Sequence, residues 1–362
     1  MKISFFGSSL VSSYWNGAAT YYRGILKALA ALGHEVTFYE PDAFERQSHR
    51  DIPNPPWARV VVYPATTDGW QQSLRTAARS ADILVKASGV GVFDSELESA
   101  VVDTPSPALR IYWDVDAPAT LDDIAANPAH HLRTAIPRYD MVLTYGGGDP
   151  VINAYRKIGA RECLPIYNAL DPEHHFPVEP NSEFASDLGF LGNRLPDREA
   201  RVDSFFLDVA RRLPSRRFLL GGSGWENKAA PENVRRLGHV GTNAHNAFFC
   251  SGLATLNINR ESMARYGFSP PTRVFEAVGA GACLITDQWE GIELFLEPDR
   301  EVLVAADGSA VAAHLDRLTP ELARKIASSA RKRILAHHTY AHRALQVDRM
   351  LEGSSRQRGA AE

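Results

Sequence analysis

Apolar residues recur along this chain with two periods, and the two alternate. Short apolar runs bounded by glycine, proline or polar residues predict strands at 2–6, 36–39, 60–63, 83–86, 109–113, 141–145 and 164–167. Between them, apolar positions return every three or four residues. In 16–32, Tyr22, Ile25, Leu26, Leu29 and Ala30 share one helical stripe, and Gly33 ends it. The same spacing predicts helices at 69–79, 94–101, 120–126 and 150–158. A second series follows: strand 187–191, helix 197–212, strands 217–220 and 253–258, helix 273–280, strand 283–286, then a mostly helical 320–351. Alternation of this kind predicts parallel sheets with helices on both faces.

Residues 171–186, DPEHHFPVEPNSEFAS, break the pattern with three prolines and predict a linker. The fold class is therefore α/β, with two Rossmann-like domains facing a cleft, the default place for a ligand. The boundaries drawn are 1–170 for the first domain, 187–335 for the second, 336–352 for a C-terminal helix free to cross back to the first, and 353–362 for a flexible tail. A chain of 362 residues, 44% of them apolar, is long enough for two cores. Net charge is −4, and no Lys/Arg block marks nucleic acid or membrane as a main partner. No apolar run approaches the roughly 20 residues of a membrane span. The N-terminal MKISFFGSSL lacks a secretory pattern. Cys163, Cys250 and Cys283 stand alone, with no CxxC, as expected of buried thiols in a reducing cytoplasm.

Candidate chemistry concentrates in 253–287, LATLNINRESMARYGFSPPTRVFEAVGAGACLITD. It reads as strand, long loop, helix, glycine turn and strand. Ser269 is the expected cap, Pro270 and Pro271 the first turn, and Gly279 and Gly281 the exit. Such a helix start offers free N–H groups and a positive dipole to a phosphate. Thr272 and Arg273 sit there. Glu276, on the same face, could accept two hydroxyl hydrogen bonds, as from a ribose. Those parts suit a nucleoside diphosphate. Asn193, Arg194, Arg198 and Arg201 follow the strand DLGFL, where arginine forks would suit phosphate oxygens. Arg260 is a weaker candidate of the same kind. Gly222, in the turn Gly221–Trp225, permits close backbone approach, and Trp225 could reach a base. A plain turn, and surface ion pairs with Asp197 and Glu199, are the structural alternatives.

In the N-terminal half, the loop from Gly7 to Gly17 lacks G-x-G-x-x-G, so the dinucleotide fingerprint is absent. Gly7, Ser8, Asn16 and Gly17 are candidates for an acceptor or phosphate loop, with Asn16 also a helix cap. Asp116 closes Tyr112-Trp113-Asp114-Val115-Asp116 at a strand end. It is placed either as a general base or as the cap of the next helix. His338 and His342 have i,i+4 spacing, but no companion ligand motif makes them a zinc site.

Three stretches, SSYWNGAATYYRGILKAL, GFLGNRLPDREARV and SPPTRVFEAVGAGACLITD, carry a resemblance to two-domain (GT-B) glycosyltransferases, more narrowly to the bacterial CgeB-type, spore-maturation-like group. The resemblance covers nearly the whole chain. It implies transfer of a sugar from a nucleotide donor held by the C-terminal domain to an acceptor against N-terminal loops. It also implies no cofactor and no bound metal, since basic side chains and a helix dipole stabilise the leaving diphosphate. Many retaining members carry two glutamates eight residues apart; Glu276 matches the second, whereas Phe268 stands at the first, with Glu261 in the preceding loop. Asp116 is the expected catalytic carboxylate. Partners are a nucleotide sugar and a small-molecule, glycan or protein acceptor. A nucleotide-sugar epimerase of similar fold, or a non-catalytic nucleotide-sugar-binding protein, are the alternatives.

Overall fold

A computed structural model describes residues 1–359, with side chains described through 353. The chain divides into two compact units, Met1–Asn168 with the C-terminal helix, and Ala169–Thr339. The first unit holds β1 (Lys2–Phe6), β2 (Glu35–Asp42), β3 (Ala58–Pro64), β4 (Ile83–Ala87), β5 (Leu109–Asp114), β6 (Met141–Thr144) and β7 (Cys163–Pro165). They form one parallel sheet in the order β3-β2-β1-β4-β5-β6-β7. The second unit holds β8 (Ser186–Leu191), β9 (Phe218–Gly221), β10 (Val234–Gly238), β11 (Gly252–Asn257), β12 (Leu284–Asp287) and β13 (Leu303–Ala305). Their order is β10-β9-β8-β11-β12-β13, again all parallel.

The central strands are apolar because both of their faces are covered. In β1, Phe5 and Phe6 point to opposite faces and are both fully buried. Phe5 stacks on Phe38, its register partner, and Phe6 on Tyr39. In the second unit, Leu188 and Phe190 of β8 join Phe206, Leu256 and Ile285 in one core. The two strands missed by pattern, β10 and β13, lie at sheet edges. Edge position leaves β10 with two exposed arginines in VRRLG, so no apolar run marks it.

The helical segment expected over 320–351 is two helices, Pro320–His337 and Tyr340–Gly359. Backbone groups at the break turn to the segment after β7: the His338 carbonyl accepts from Leu170 N at 2.8 Å, and Thr339 bridges Leu170. Beyond it, the helix Tyr340–Gly359 packs on Ala19–Ala31 of the first unit. Gly24 admits the Tyr340 ring; a Cβ there would lie 2.1 Å from it. His34 Nε2 meets Asp348 at 2.9 Å. The helix continues through positions 353–359, where a tail was expected, and 360–362 lie outside the described residues. No helix among the described residues is long and apolar enough to cross a membrane.

Candidate functional site

In the second sheet the strand order reverses between β8 and β11, and an open parallel sheet offers its ligand crevice outside the carboxyl ends of such strands. β8 delivers Gly192, Asn193 and Arg194 there, and β11 delivers Ile258, Asn259 and Arg260. Arg273 ties the two ends together. Its Nε donates to the Leu191 carbonyl at 2.5 Å and Nη1 to Asn257 Oδ1 at 2.8 Å. The guanidinium lies 4.9 Å from the Phe190 ring centroid. Asn257 is held in that orientation because its amide N donates to Asn259 Oδ1 and Thr286 Oγ1, both at 3.0 Å.

A second buried guanidinium lies beside the first. Arg198, from the helix that begins at Pro196, donates from Nη1 to the Asn193 carbonyl at 3.3 Å. Gly192 separates the two. A Cβ at that position would lie 2.6 Å from Arg273 Nη2 and 3.2 Å from Arg198 Nη1. No described carboxylate forms an ion pair with Arg273. Burial, reinforced by the Arg198 charge, pushes the Arg273 pKa down to about 9, against the pull of Glu276 and Asp287. Two adjacent, desolvated cations of this kind favour an anion between or above them.

Other predicted arginines have protein partners. Arg194 forks onto Glu199 at 2.6 and 2.8 Å, and Lys228 joins the same carboxylate at 2.7 Å. Arg260 meets Asp197 at 2.7 Å. Arg201 bridges buried Asp287 at 2.7 Å and exposed Glu261 at 3.0 Å, so Glu261 is engaged as an ion-pair partner. Asn193 Oδ1 accepts from Ser223 N at 2.9 Å. Gly222 has φ +120, and a Cβ there would lie 2.2 Å from the Gly192 carbonyl, so glycine lets the turns after β8 and β9 touch. Trp225, a candidate for base contact, is core, 1% exposed, with Nε1 donating to the Gly192 carbonyl at 2.7 Å.

The helix carrying Arg273 and Glu276 is Thr272–Gly279. Pro270 and Pro271 precede it rather than forming its first turn, and Ser269 donates to the Gly267 carbonyl at 2.8 Å instead of capping it. With no side-chain cap, the first-turn N–H groups at Thr272 stay available to a ligand. One turn on, Glu276 is 7% exposed, and its carboxylate accepts no hydrogen bond from a described residue. It faces two histidines that the sequence reading passed over. Ligating atoms of His175, His245 and Glu276 all lie within 4.8 Å of one another. Burial lowers both histidine pKa values, so the rings are neutral at pH 7. Gly279 allows the chain at 170–175 to approach, since a Cβ there would lie 2.3 Å from Leu170 and 3.0 Å from the His175 carbonyl.

In the first unit, the loop after β1 is organised by a buried carboxylate. Glu40 accepts from Leu10 N at 2.6 Å, Ser9 Oγ at 3.1 Å and Gln47 Nε2 at 2.6 Å. Asn16 is buried and braces this loop from within, donating to the carbonyls of Ser9 and Ser12 at 2.8 and 3.0 Å and accepting from Ser8 Oγ at 2.9 Å. It does not cap the next helix, whose N-cap position is Ala18. Gly7 lies against Phe38, 2.5 Å from where a Cβ would be, while Gly17 is exposed. At the end of β5, Asp114 is fully buried. It accepts from Ser88 Oγ at 2.7 Å, Asp116 N at 2.9 Å, Thr120 Oγ1 at 3.1 Å and the Tyr155 hydroxyl. Burial raises its pKa to about 6 despite those donors. Asp116 is half-buried at the N-cap position of Ala117–Ala126, yet its side chain makes no capping bond. Farther along, His338 packs against Phe295 and Phe275 in the second unit.

Residues 198–349 match the family model described as "Glycosyl transferase-like". No curated protein matches the chain by sequence. Among solved structures, it is similar to a sucrose-phosphate synthase from Thermosynechococcus elongatus (TM-score 0.70, 14% identity, 100% of each chain covered). It is also similar to Anabaena HepE in complex with UDP and glucose (TM-score 0.65, 15% identity, 98% of this chain and 100% of that one). A third is an alpha-glucosyltransferase in complex with UDP-glucose and DNA containing an abasic site (TM-score 0.72, 12% identity, 97% and 99%). The two parallel-sheet, Rossmann-like units are those of the GT-B fold.

Proposed function

We propose that this chain is a glycosyltransferase that moves a hexose or related sugar from a nucleotide-diphosphate donor to a small-molecule, glycan or protein acceptor, in the cytoplasm. The observation that carries the reading is the pair of buried guanidiniums, Arg198 and Arg273, set at the β8/β11 crevice with no described carboxylate paired to Arg273. A diphosphate would supply the missing negative charge, with Asn193, Gly222 and the Thr272 N–H lining its path. Glu276 would take the ribose hydroxyls one turn deeper. Fixed cations and a helix start then stabilise the diphosphate as it leaves, without a metal. In the first unit, Asp116 would act as general base on the acceptor hydroxyl. Gly7, Ser8, Asn16 and Gly17 belong to the acceptor loop. The narrower kinship with the CgeB-type group rests on the three quoted stretches.

UDP-glucose is the donor to test first, because HepE and the alpha-glucosyltransferase were solved with UDP and glucose or with UDP-glucose. The experiment is a thermal-shift panel of UDP-, GDP-, ADP- and TDP-sugars, since a ligand of the folded state alone raises the melting temperature. One nucleotide series should stabilise the protein, and sugar release or transfer from it should survive EDTA. No shift with any nucleotide sugar would refute the reading.

A further inference from the structure

Three ligating side chains come together in the second unit from three separate segments: His175 before β8, His245 in the helix His245–Cys250, and Glu276 in Thr272–Gly279. His175 and Glu276 are 6% and 7% exposed, and neither side chain hydrogen-bonds a described residue. His245 has a different arrangement. Its Nε2 lies 3.3 Å from the Val240 carbonyl, and its Nδ1 is buried without a hydrogen-bond partner among the described residues. With the proton on Nε2, that carbonyl fixes the tautomer and leaves the Nδ1 lone pair free. A backbone carbonyl behind one ring nitrogen and a vacant lone pair on the other is the outer-shell pattern of a metal-ligating histidine.

The distances are compatible. Three atoms no more than 4.8 Å apart leave a point within about 2.8 Å of all three, and side-chain rotation closes that to the roughly 2.0–2.2 Å of zinc bonds to nitrogen and oxygen. Two imidazoles and one carboxylate suit Zn²⁺, which accepts such a set with an open fourth position. Magnesium and calcium, which want oxygen ligands, are disfavoured.

We propose that His175, His245 and Glu276 form a binding site for one Zn²⁺ ion, and that zinc and donor nucleotide exclude each other there. The exclusion rests on the ribose role given to Glu276 above; the metal site does not. A carboxylate that has given an oxygen to zinc no longer offers both oxygens to a ribose diol. Zinc at this position is therefore inhibitory, and chelation leaves the transferase active.

The test is calorimetric titration of the full-length protein with Zn²⁺, without nucleotide, alongside His175→Ala, His245→Ala and, as a control, His174→Ala. His174 is exposed and bound to Asp171, outside the cluster. One Zn²⁺ per chain is expected. Each cluster variant should bind at least about 100-fold more weakly, because even removing an outer-shell partner costs 10- to 100-fold. The control should match the wild type. Absence of stoichiometric binding, or equal affinity in all four proteins, overturns the site. UDP is then titrated with Zn²⁺ at ten times its own dissociation constant. UDP affinity should fall about tenfold in the wild type by competition for the free site, and stay constant in His175→Ala. Unchanged wild-type UDP affinity overturns the exclusion. Failure of UDP to bind at all, with zinc absent, counts against the donor reading and leaves the zinc titration as the judge of the metal site.

Discussion

Replacing Arg273 with methionine separates a ligand cation from a structural strut. Methionine keeps a long, flexible side chain in the space and removes the charge. The fall of the Arg273 pKa from its ordinary value to about 9 corresponds to about 5 kcal/mol of unfavourable surroundings for the charged side chain. Because the folded value lies below the unfolded one, the folded state bears that cost at every pH below about 9, including pH 7. Removing the charge relieves it. The substitution also strips the Leu191 carbonyl and Asn257 Oδ1 of their donor, which costs about 1–3 kcal/mol for each buried acceptor. The two effects largely offset, so the unfolding free energy of the ligand-free protein should lie between about 1 kcal/mol below and about 3 kcal/mol above the wild type. Binding should not be spared. A charge-assisted hydrogen bond contributes roughly 1.5–3 kcal/mol, so UDP affinity should fall roughly 10- to 150-fold. Uridine, which lacks the diphosphate, should lose less than about threefold on the same argument. Calorimetry with both ligands and chemical denaturation of both proteins read these quantities. Equal losses for UDP and uridine, together with a stability loss above about 3 kcal/mol, would make Arg273 a strut between β8 and β11 and sink the diphosphate assignment.

Glu276→Ala should leave the fold intact and weaken UDP and uridine alike, by roughly 10- to 100-fold, since the ribose is common to both; calorimetry showing loss for UDP alone would move Glu276 from ribose to phosphate. Asp116→Asn keeps size and hydrogen bonding but removes basicity, so turnover should drop about 100- to 10,000-fold with donor affinity unchanged. Wild-type turnover at saturating substrates would reject the base. Asp114→Asn tests the buried carboxylate beside it. The folded pKa is raised from 3.8 to about 6, so this group's contribution to stability is present below pH 3.8 and lost as pH rises through about 6. The loss amounts to about 3 kcal/mol, and the substitution should flatten that part of the melting temperature against pH curve. A wild-type slope in the variant would assign the titration to another group.

The layers are legible in the chain alone. Apolar runs such as KISFF and DLGFL are near-continuous because parallel strands are covered on both faces, and that burial leaves its mark on composition. The segment 253–287 also carries prolines and Arg273 where a helix begins and glycines where it ends, so Arg273 and Glu276 stand out as candidate site residues in the chain alone. Edge strand β10 escaped because its exposed arginines break the apolar run, and β13 because its three residues, LVA, are too short to show a period. How the arginines are divided emerges when the chain is folded. Arg194 pairs locally with Glu199, five residues on, whereas Arg201 and Arg260 are drawn to Asp287 and Asp197, partners whose proximity depends on how separate segments meet. Arg198 and Arg273 converge only because Gly192 leaves room for both, which no local spacing records. The same holds for His175 and His245, read as linker and unassigned chain. Side chains separated by dozens of residues become one constellation through packing, and packing is a property of the fold rather than of any segment.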